Sequence, residues 1–181
     1  LDLRRRPALE HVELVPGSQQ RLGHAGPHGS EADDRDGYEL HVLEGRAAAQ
    51  IQRLGEIGPV VAHPRLADLL DGARHVLTCL PAGPDVVAVA RELPADSRRG
   101  RALIDCSTIG VNAAAEVWGL ARAAGWQYVD APLTGGPARA ATGELLCYLS
   151  SDGDPRPGVM EIANAFSARV VRLGEPGSGQ S

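Results

Sequence analysis

"HVLTCLPAGPDVVAVARELPADSRRGRALIDCSTIGVNAAAEVWGLARAAGWQYVD", residues 75–130, is the stretch on which the fold turns. Residues 75–80 and 102–106 are apolar runs of the kind found in strands covered on both faces. Residues 83–93 read as a helix between them. Residues 111–125 form the clearest helical pattern of the chain, with Gly125 as its stop. Residues 126–130 return to a strand. The order β-α-β-α-β, with helices of this length, predicts crossover units on a mainly parallel sheet. Right-handed crossovers then place helices on both faces.

The same alternation extends outward. Residues 38–43 and 59–62 read as strands, 46–55 as a helix ended by Gly55, and 64–72 as a short helix with Pro64 at its start. Residues 144–150 and 168–174 read as strands, with a helix at 157–167 between them. The predicted fold is therefore α/β, a Rossmann-like doubly wound sheet that is mainly parallel.

Composition narrows the function. The chain has 181 residues, 43% of them hydrophobic and only 3% aromatic, which suits one globular unit with an aliphatic core. The net charge is -5 and there is no basic tract, which argues against a nucleic-acid partner. No apolar run approaches the roughly 20 residues that span a bilayer, and the start resembles no signal peptide, so a cytoplasmic location is expected. Cys79, Cys106 and Cys147 lie in apolar runs without metal-ligand spacing and read as small core side chains; no metal site is expected. All 18 basic residues are arginine, so the chain contains no lysine.

On a sheet of this type, ligands bind outside the carboxyl ends of the strands. Four loops are placed there. Glu44, after the first of them, reads either as an acceptor for an adenosine ribose or as a solvated turn. Leu80-Pro81 ends a strand, because Pro81 cannot donate to a ladder. It offers either backbone to a flat ligand or a plain turn. Ser107-Thr108 stands before a helix, where capping is the default reading and ligand contact the alternative. The last loop, in "VDAPLTGGPARAATGEL" at 129–145, is the most distinctive. Its Gly135-Gly136 pair allows backbone closed to other residues, and such amides converge on anions. Thr134 adds a hydroxyl. Asp130 is expected to end a strand, and residues 131–142 to form a loop.

Taken together, "LP" at 80–81, "IDCSTI" at 104–109, "DAPLTGG" at 130–136, "ARAATGEL" at 138–145 and "GEPGSGQ" at 174–180 resemble the β-hydroxyacid dehydrogenase family, which includes 3-hydroxyisobutyrate dehydrogenases and tartronate semialdehyde reductases. The resemblance covers residues 37–181. It implies a dinucleotide-binding domain at 37–174 and the start of an interdomain segment at 175–181. It implies that Glu44, Leu80, Pro81 and Thr108 contact the cofactor, and that Thr134, Gly135 and Gly136 hold the carboxylate of a small hydroxy acid. Glu44 stands where NAD-preferring members carry an acid, so NAD is implied, with NADP as the alternative. Asp85 departs from an asparagine found in some members. The whole protein is implied to be a homo-oligomer that moves hydride between the cofactor and a short 3-hydroxy acid.

Two departures from the family pattern stand out. Its opening glycine turn is absent from residues 16–36, and residues 1–36 are expected to be irregular. A one-base shift under a chosen set of synonymous codons turns residues 21–36 into a close copy of that turn. An out-of-frame first βα unit is one reading of this segment. The family's catalytic lysine follows a G-x-G motif that Gly177 and Gly179 match, and would fall beyond Ser181; no catalytic residue is therefore expected in this chain, nor the family's helical second domain. The competing readings are a non-catalytic or degenerate nucleotide-binding domain, or a fragment of a related imine reductase or 6-phosphogluconate dehydrogenase.

Overall fold

The computed structural model describes residues 61–71, 73–96 and 100–181, together with Gln52 and the backbone of Val12–Val15, Leu40–Leu43 and Val60. Glu44, the helix read at 46–55 apart from Gln52, and the polar stretch 16–36 lie outside the described residues.

The described elements run β1 (Val12–Val15), β2 (Leu40–Leu43), β3 (Val60–His63), α1 (Leu66–Leu70), β4 (His75–Thr78), α2 (Gly83–Arg91), β5 (Ala102–Asp105), α3 (Gly110–Ala124), β6 (Gln127–Asp130), β7 (Leu133–Thr134), α4 (Gly136–Ala141), β8 (Leu145–Ser151), α5 (Val159–Phe166) and β9 (Ser167–Arg172). The strands form one sheet in the order β3-β2-β1-β4-β5-β6-β8-β7, with β9 also paired to β8. β2 to β7 run one way, while β1, β8 and β9 run against them.

Alternation along the central strands builds two cores. Val76, Leu103 and Tyr128 face one side and pack under α1, α2 and α3 through Leu69, Val86, Val89, Val117 and Ala121. Ile104, Val129, Cys147 and Leu149 face the other side, against Val159 and Ala163 of α5. Neighbours in sequence thus serve opposite layers, which is why residues 102–106 read as an unbroken apolar run. Leu103 and Ile104 are both fully buried, and each contributes about 1.5–3 kcal/mol of transfer free energy. The few aromatic side chains keep their polar ends paired: Trp126 donates its Nε1–H to the Pro94 carbonyl at 2.7 Å, and the Arg101 guanidinium lies over its ring.

Three expectations are corrected. Residues 1–36 contain a strand, Val12–Val15, which fills the gap between β2 and β4 and satisfies the facing edges of both. Residues 131–142 are not a plain loop: Leu133–Thr134 pairs with β8, and Pro137 near the start of Gly136–Ala141 supports a short helix. Cys106 and Cys147 are buried as expected, but Cys79 is exposed, because β4 ends one residue before it.

The C-terminal cap of α3 needs glycine. Gly125 is left-handed at φ 84°, and a Cβ there would stand 2.3 Å from the Asp96 carbonyl oxygen. At the amino edge, His75 is buried. Its Nε2–H donates to the Pro157 carbonyl at 2.9 Å, while Nδ1 is buried without a partner. Burial, and secondarily the nearby Arg74, hold its pKa below the ordinary histidine value.

Two outcomes follow for stability. Gly125→Ala lowers the unfolding free energy by about 2 kcal/mol or more in urea melts, the sum of left-handed strain and displacement of the Asp96 carbonyl. A histidine whose folded pKa is depressed contributes stability that is complete above its unfolded value of about 6.5 and is lost as pH falls from there toward the folded value. Thermal melts across this window show His75→Gln with a flatter acid-side slope than the wild type. Equal slopes would remove His75 from the account.

Candidate active site

The carboxyl ends of β4, β5 and β6 are level with one another. Thr78 pairs with Asp105 in register, and Asp105 with Asp130. Ser150 of β8 lies opposite Asp130. These four polar residues form one row, all fully buried. Their side chains share the face that carries Leu103 and Tyr128, one step further along each strand.

Neither carboxylate pairs with an arginine or histidine among the described residues. Donors take that place. Asp105 Oδ1 accepts from the Thr78 hydroxyl at 2.8 Å and the Ser107 amide at 3.0 Å, and Oδ2 accepts from the Tyr128 hydroxyl at 3.2 Å. Asp130 Oδ2 accepts from the Ser150 hydroxyl and the Gly177 amide, both at 3.1 Å, and Oδ1 from Gln180 Nε2 at 2.6 Å. Burial pushes both carboxyls above the usual carboxylate range, and these hydrogen bonds pull them back toward it. The same burial, reinforced by Asp130, pushes the Cys147 thiol up to about 11. It also raises the Tyr128 phenol, so Tyr128 remains a donor.

The loops leaving this row are tied together. Ser107 does not cap α3; its hydroxyl oxygen accepts the Leu80 amide at 2.8 Å, joining the loop after β4 to the loop after β5. Thr108 does not cap α3 either. The cap comes from Gln180, whose Oε1 accepts the Ile109 and Gly110 amides at 2.9 and 3.1 Å. Gln180 Nε2 also donates to the Ser107 carbonyl at 3.0 Å. A Cβ on Gly179 would come within 3.1 Å of both Pro132 and Asp130, so this segment lies tight against the loop after β6.

Of the residues singled out from sequence, Pro81 and Thr108 are exposed beside each other's loops, while the Leu80 side chain belongs to the core and only its backbone is at the edge. Thr134, Gly135 and Gly136 are exposed at the next strand end. Gly135 precedes α4 and Gly136 opens it, with φ of 139° and 71°. Asp85 is buried in the first turn of α2, where an acid complements the helix dipole. Glu44 lies outside the described residues. Sequence reasoning quoted "IDCSTI" and "DAPLTGG" but gave Asp105 and Asp130 no role. The available signal was an acid closing each of two apolar strands.

Comparison with known proteins comes to the same architecture. Residues 22–174 match the family model described as the NAD binding domain of 6-phosphogluconate dehydrogenase. An NAD-dependent L-serine dehydrogenase of Pseudomonas aeruginosa is 29% identical over 162 residues, which is 88% of this chain and 54% of that protein. A Mycobacterium tuberculosis protein named "Probable 3-hydroxyisobutyrate dehydrogenase" is 30% identical over 142 residues, 78% of this chain and 48% of the relative. The structure of Mycobacterium tuberculosis 3-hydroxyisobutyrate dehydrogenase with L-serine aligns with a TM-score of 0.66 at 26% identity, over 76% of this chain and 47% of that one. The chain spans about half the length of these relatives.

The row sets an order of mutational costs. Asp105→Ala strands two buried hydroxyls and an amide and costs about 3–5 kcal/mol, whereas Tyr128→Phe removes one neutral donor and costs about 1 kcal/mol. Chemical denaturation of both variants checks the order, and a Tyr128→Phe loss as large as that of Asp105→Ala contradicts it.

Proposed function

This chain belongs to the β-hydroxyacid dehydrogenase family, as its NAD-binding domain, and we propose that it serves an oxidoreductase that moves hydride between NAD and a short 3-hydroxy acid. The observation carrying this reading is the level register of Thr78, Asp105 and Asp130, which sends the loops bearing Pro81, Thr108 and Thr134-Gly135-Gly136 out from one edge of the sheet. The described residues fit the nicotinamide end of a dinucleotide. Pro81, Ala82 and Thr108 form an exposed edge without a bulky side chain, over a floor closed by Leu80.

When bound, the cofactor supplies hydride acceptance and return. The chain's own part is to hold and orient. Pro81 and Thr108 are assigned to the cofactor. The Thr134 hydroxyl and the amides of Gly135 and Gly136 are assigned to the substrate carboxylate, at the first turn of α4 where backbone amides have no helical acceptor. Glu44 is assigned to the ribose and favours NAD over NADP. General acid/base transfer of the hydroxyl proton falls to the lysine that the family resemblance implies. None of the 181 residues is a lysine, so this chain is expected to bind without turning over. The cysteines, none in a disulfide, suit a reducing cytoplasm. Among the described residues no helix is long and apolar enough to cross a membrane.

One observation favours a second reading, a degenerate nucleotide-binding domain. β1 runs from Val12 beside Thr78 to Val15 beside His75. The chain therefore leaves β1 at the amino edge. In a dinucleotide-binding unit, the glycine turn that receives the pyrophosphate follows the first strand at the carboxyl edge.

Calorimetry separates the two. Under the first reading the chain binds NAD, and the NAD-loaded chain then binds 3-hydroxyisobutyrate. Gly135→Val places a branched side chain against Arg139 and Leu145, within 3.1 Å of both at the Cβ, in a backbone region that β-branched residues avoid. It is expected to weaken hydroxy-acid binding about tenfold or more, equivalent to about 1.4 kcal/mol, with NAD affinity little changed. Absence of NAD binding by the wild-type chain selects the degenerate domain.

A further inference from the structure

The segment 177–180 reaches the carboxyl edge from the far end of the chain, and its contacts there are chemically directional. Asp130 Oδ1 faces the Gln180 side-chain N–H, and Oδ2 faces the Gly177 amide. Both donors are fixed, so residue 130 must accept at both oxygens. Gln180 is oriented just as firmly. Its Oε1 faces two backbone N–H groups, and its Nε2 faces the Ser107 carbonyl and Asp130. Isosteric exchange therefore fails at either position without any change of size. Asparagine at 130 turns an amide N–H toward a donor in both of its orientations. Glutamate at 180 sets an oxygen 2.6 Å from a carboxylate oxygen.

We propose that Asp130 and Gln180 form a polar latch, a positioning pair that locks the loop after β6, which carries Thr134 to Gly136, to the loop after β5 and the start of α3. This rests on the function proposed above, in which those two loops hold substrate and cofactor. The latch sets the distance between them while touching neither ligand.

The pair also predicts its own repair. In an Asp130→Asn/Gln180→Glu double variant, the new amide's carbonyl takes the place of Oδ2 and accepts from Gly177 and Ser150. Its N–H then donates to the carboxylate introduced at position 180, whose other oxygen still accepts from Ile109 and Gly110. Only the bond to the Ser107 carbonyl is lost. A single Gln180→Glu variant is instead pH-dependent. A shared proton bridges Asp130 and the introduced carboxyl in acid, and two charges repel once that proton leaves. The other titratable groups around the pair are Asp105 on β5, Cys106 beyond it, Tyr128 on β6, Cys147 on β8 and the exposed Glu175. All are present unchanged in the wild type, which serves as the reference.

Amide exchange on the full 181-residue chain reads the latch. At about pH 8, Asp130→Asn and Gln180→Glu each speed exchange at Ile109, Gly110 and Gly177 about tenfold or more, with β5 and β6 amides unchanged. Gln180→Glu regains protection at about pH 5, after correction for intrinsic exchange, and the double variant regains most of it at both values. Wild-type-like exchange in the single variants, loss spread through β5 and β6, or a double variant no better than the singles overturns the latch. NAD titration of the same proteins reads positioning. The single variants bind NAD about tenfold more weakly and the double variant recovers. A working latch with unchanged NAD affinity overturns the positioning role alone. A wild-type chain that binds no NAD sinks the functional reading, and exchange then decides whether the latch exists.

Discussion

Two carboxylates buried without a cation, Asp105 and Asp130, are the constraint around which the carboxyl edge is arranged. Removing such a group from water costs several kcal/mol unless donors replace the solvent. Here those donors come from five places: β4 through Thr78, the loop after β5 through Ser107, β6 itself through Tyr128, β8 through Ser150, and the segment at 177–180. Each donor must stand where its acceptor demands. Satisfying the charge thus fixes strand register, loop origin and the return of the chain end at once. The aliphatic faces on either side hold the sheet between its helices, but they do not specify this edge; the polar row does.

The two edges of the sheet respond to acid in opposite senses. At the carboxyl edge, raised carboxyl pKa values mean that the folded state holds protons more tightly than the unfolded chain, so their contribution is complete below about pH 4 and is lost as pH rises through the folded values. At the amino edge the depressed His75 works the other way. The pH dependence of stability is the difference between these trends, and it is spatially divided across one short sheet.

Much of the fold was legible because aliphatic periodicity is a local property. Residues 75–78, 102–105 and 127–130 are strands because their apolar runs are buried on both faces, and Gly125 stops α3 as its sequence announces. What escaped depended on partners distant in sequence. Val12–Val15 is four residues long and is held by two neighbours rather than by its own pattern. Ser107 looked like a helix cap, and locally it has the chemistry for one, but a closer demand from Leu80 took its hydroxyl. Gln180 caps α3 across 70 residues, and nothing in its own surroundings marks it for that work. Thr134 to Gly136 were visible as special backbone, whereas the buried acids beneath them were hidden inside motifs already quoted for other reasons.

The latch has a consequence for the order in which the molecule assembles. Its contacts join residues 47, 50, 70, 71 and 73 positions apart. Closing chains of that length costs entropy that only an already formed surface can offset. The ends of β5 and β6 and the first turn of α3 must exist before Gln180 has anything to bind. These bonds therefore belong to the late side of the folding barrier, absent from the nucleus and formed on the descent to the native state. Contacts of that kind govern how slowly a protein comes apart rather than how fast it comes together. The last residues of the chain act on its kinetic lifetime, with the strands β4, β5 and β6 setting the pace of its formation.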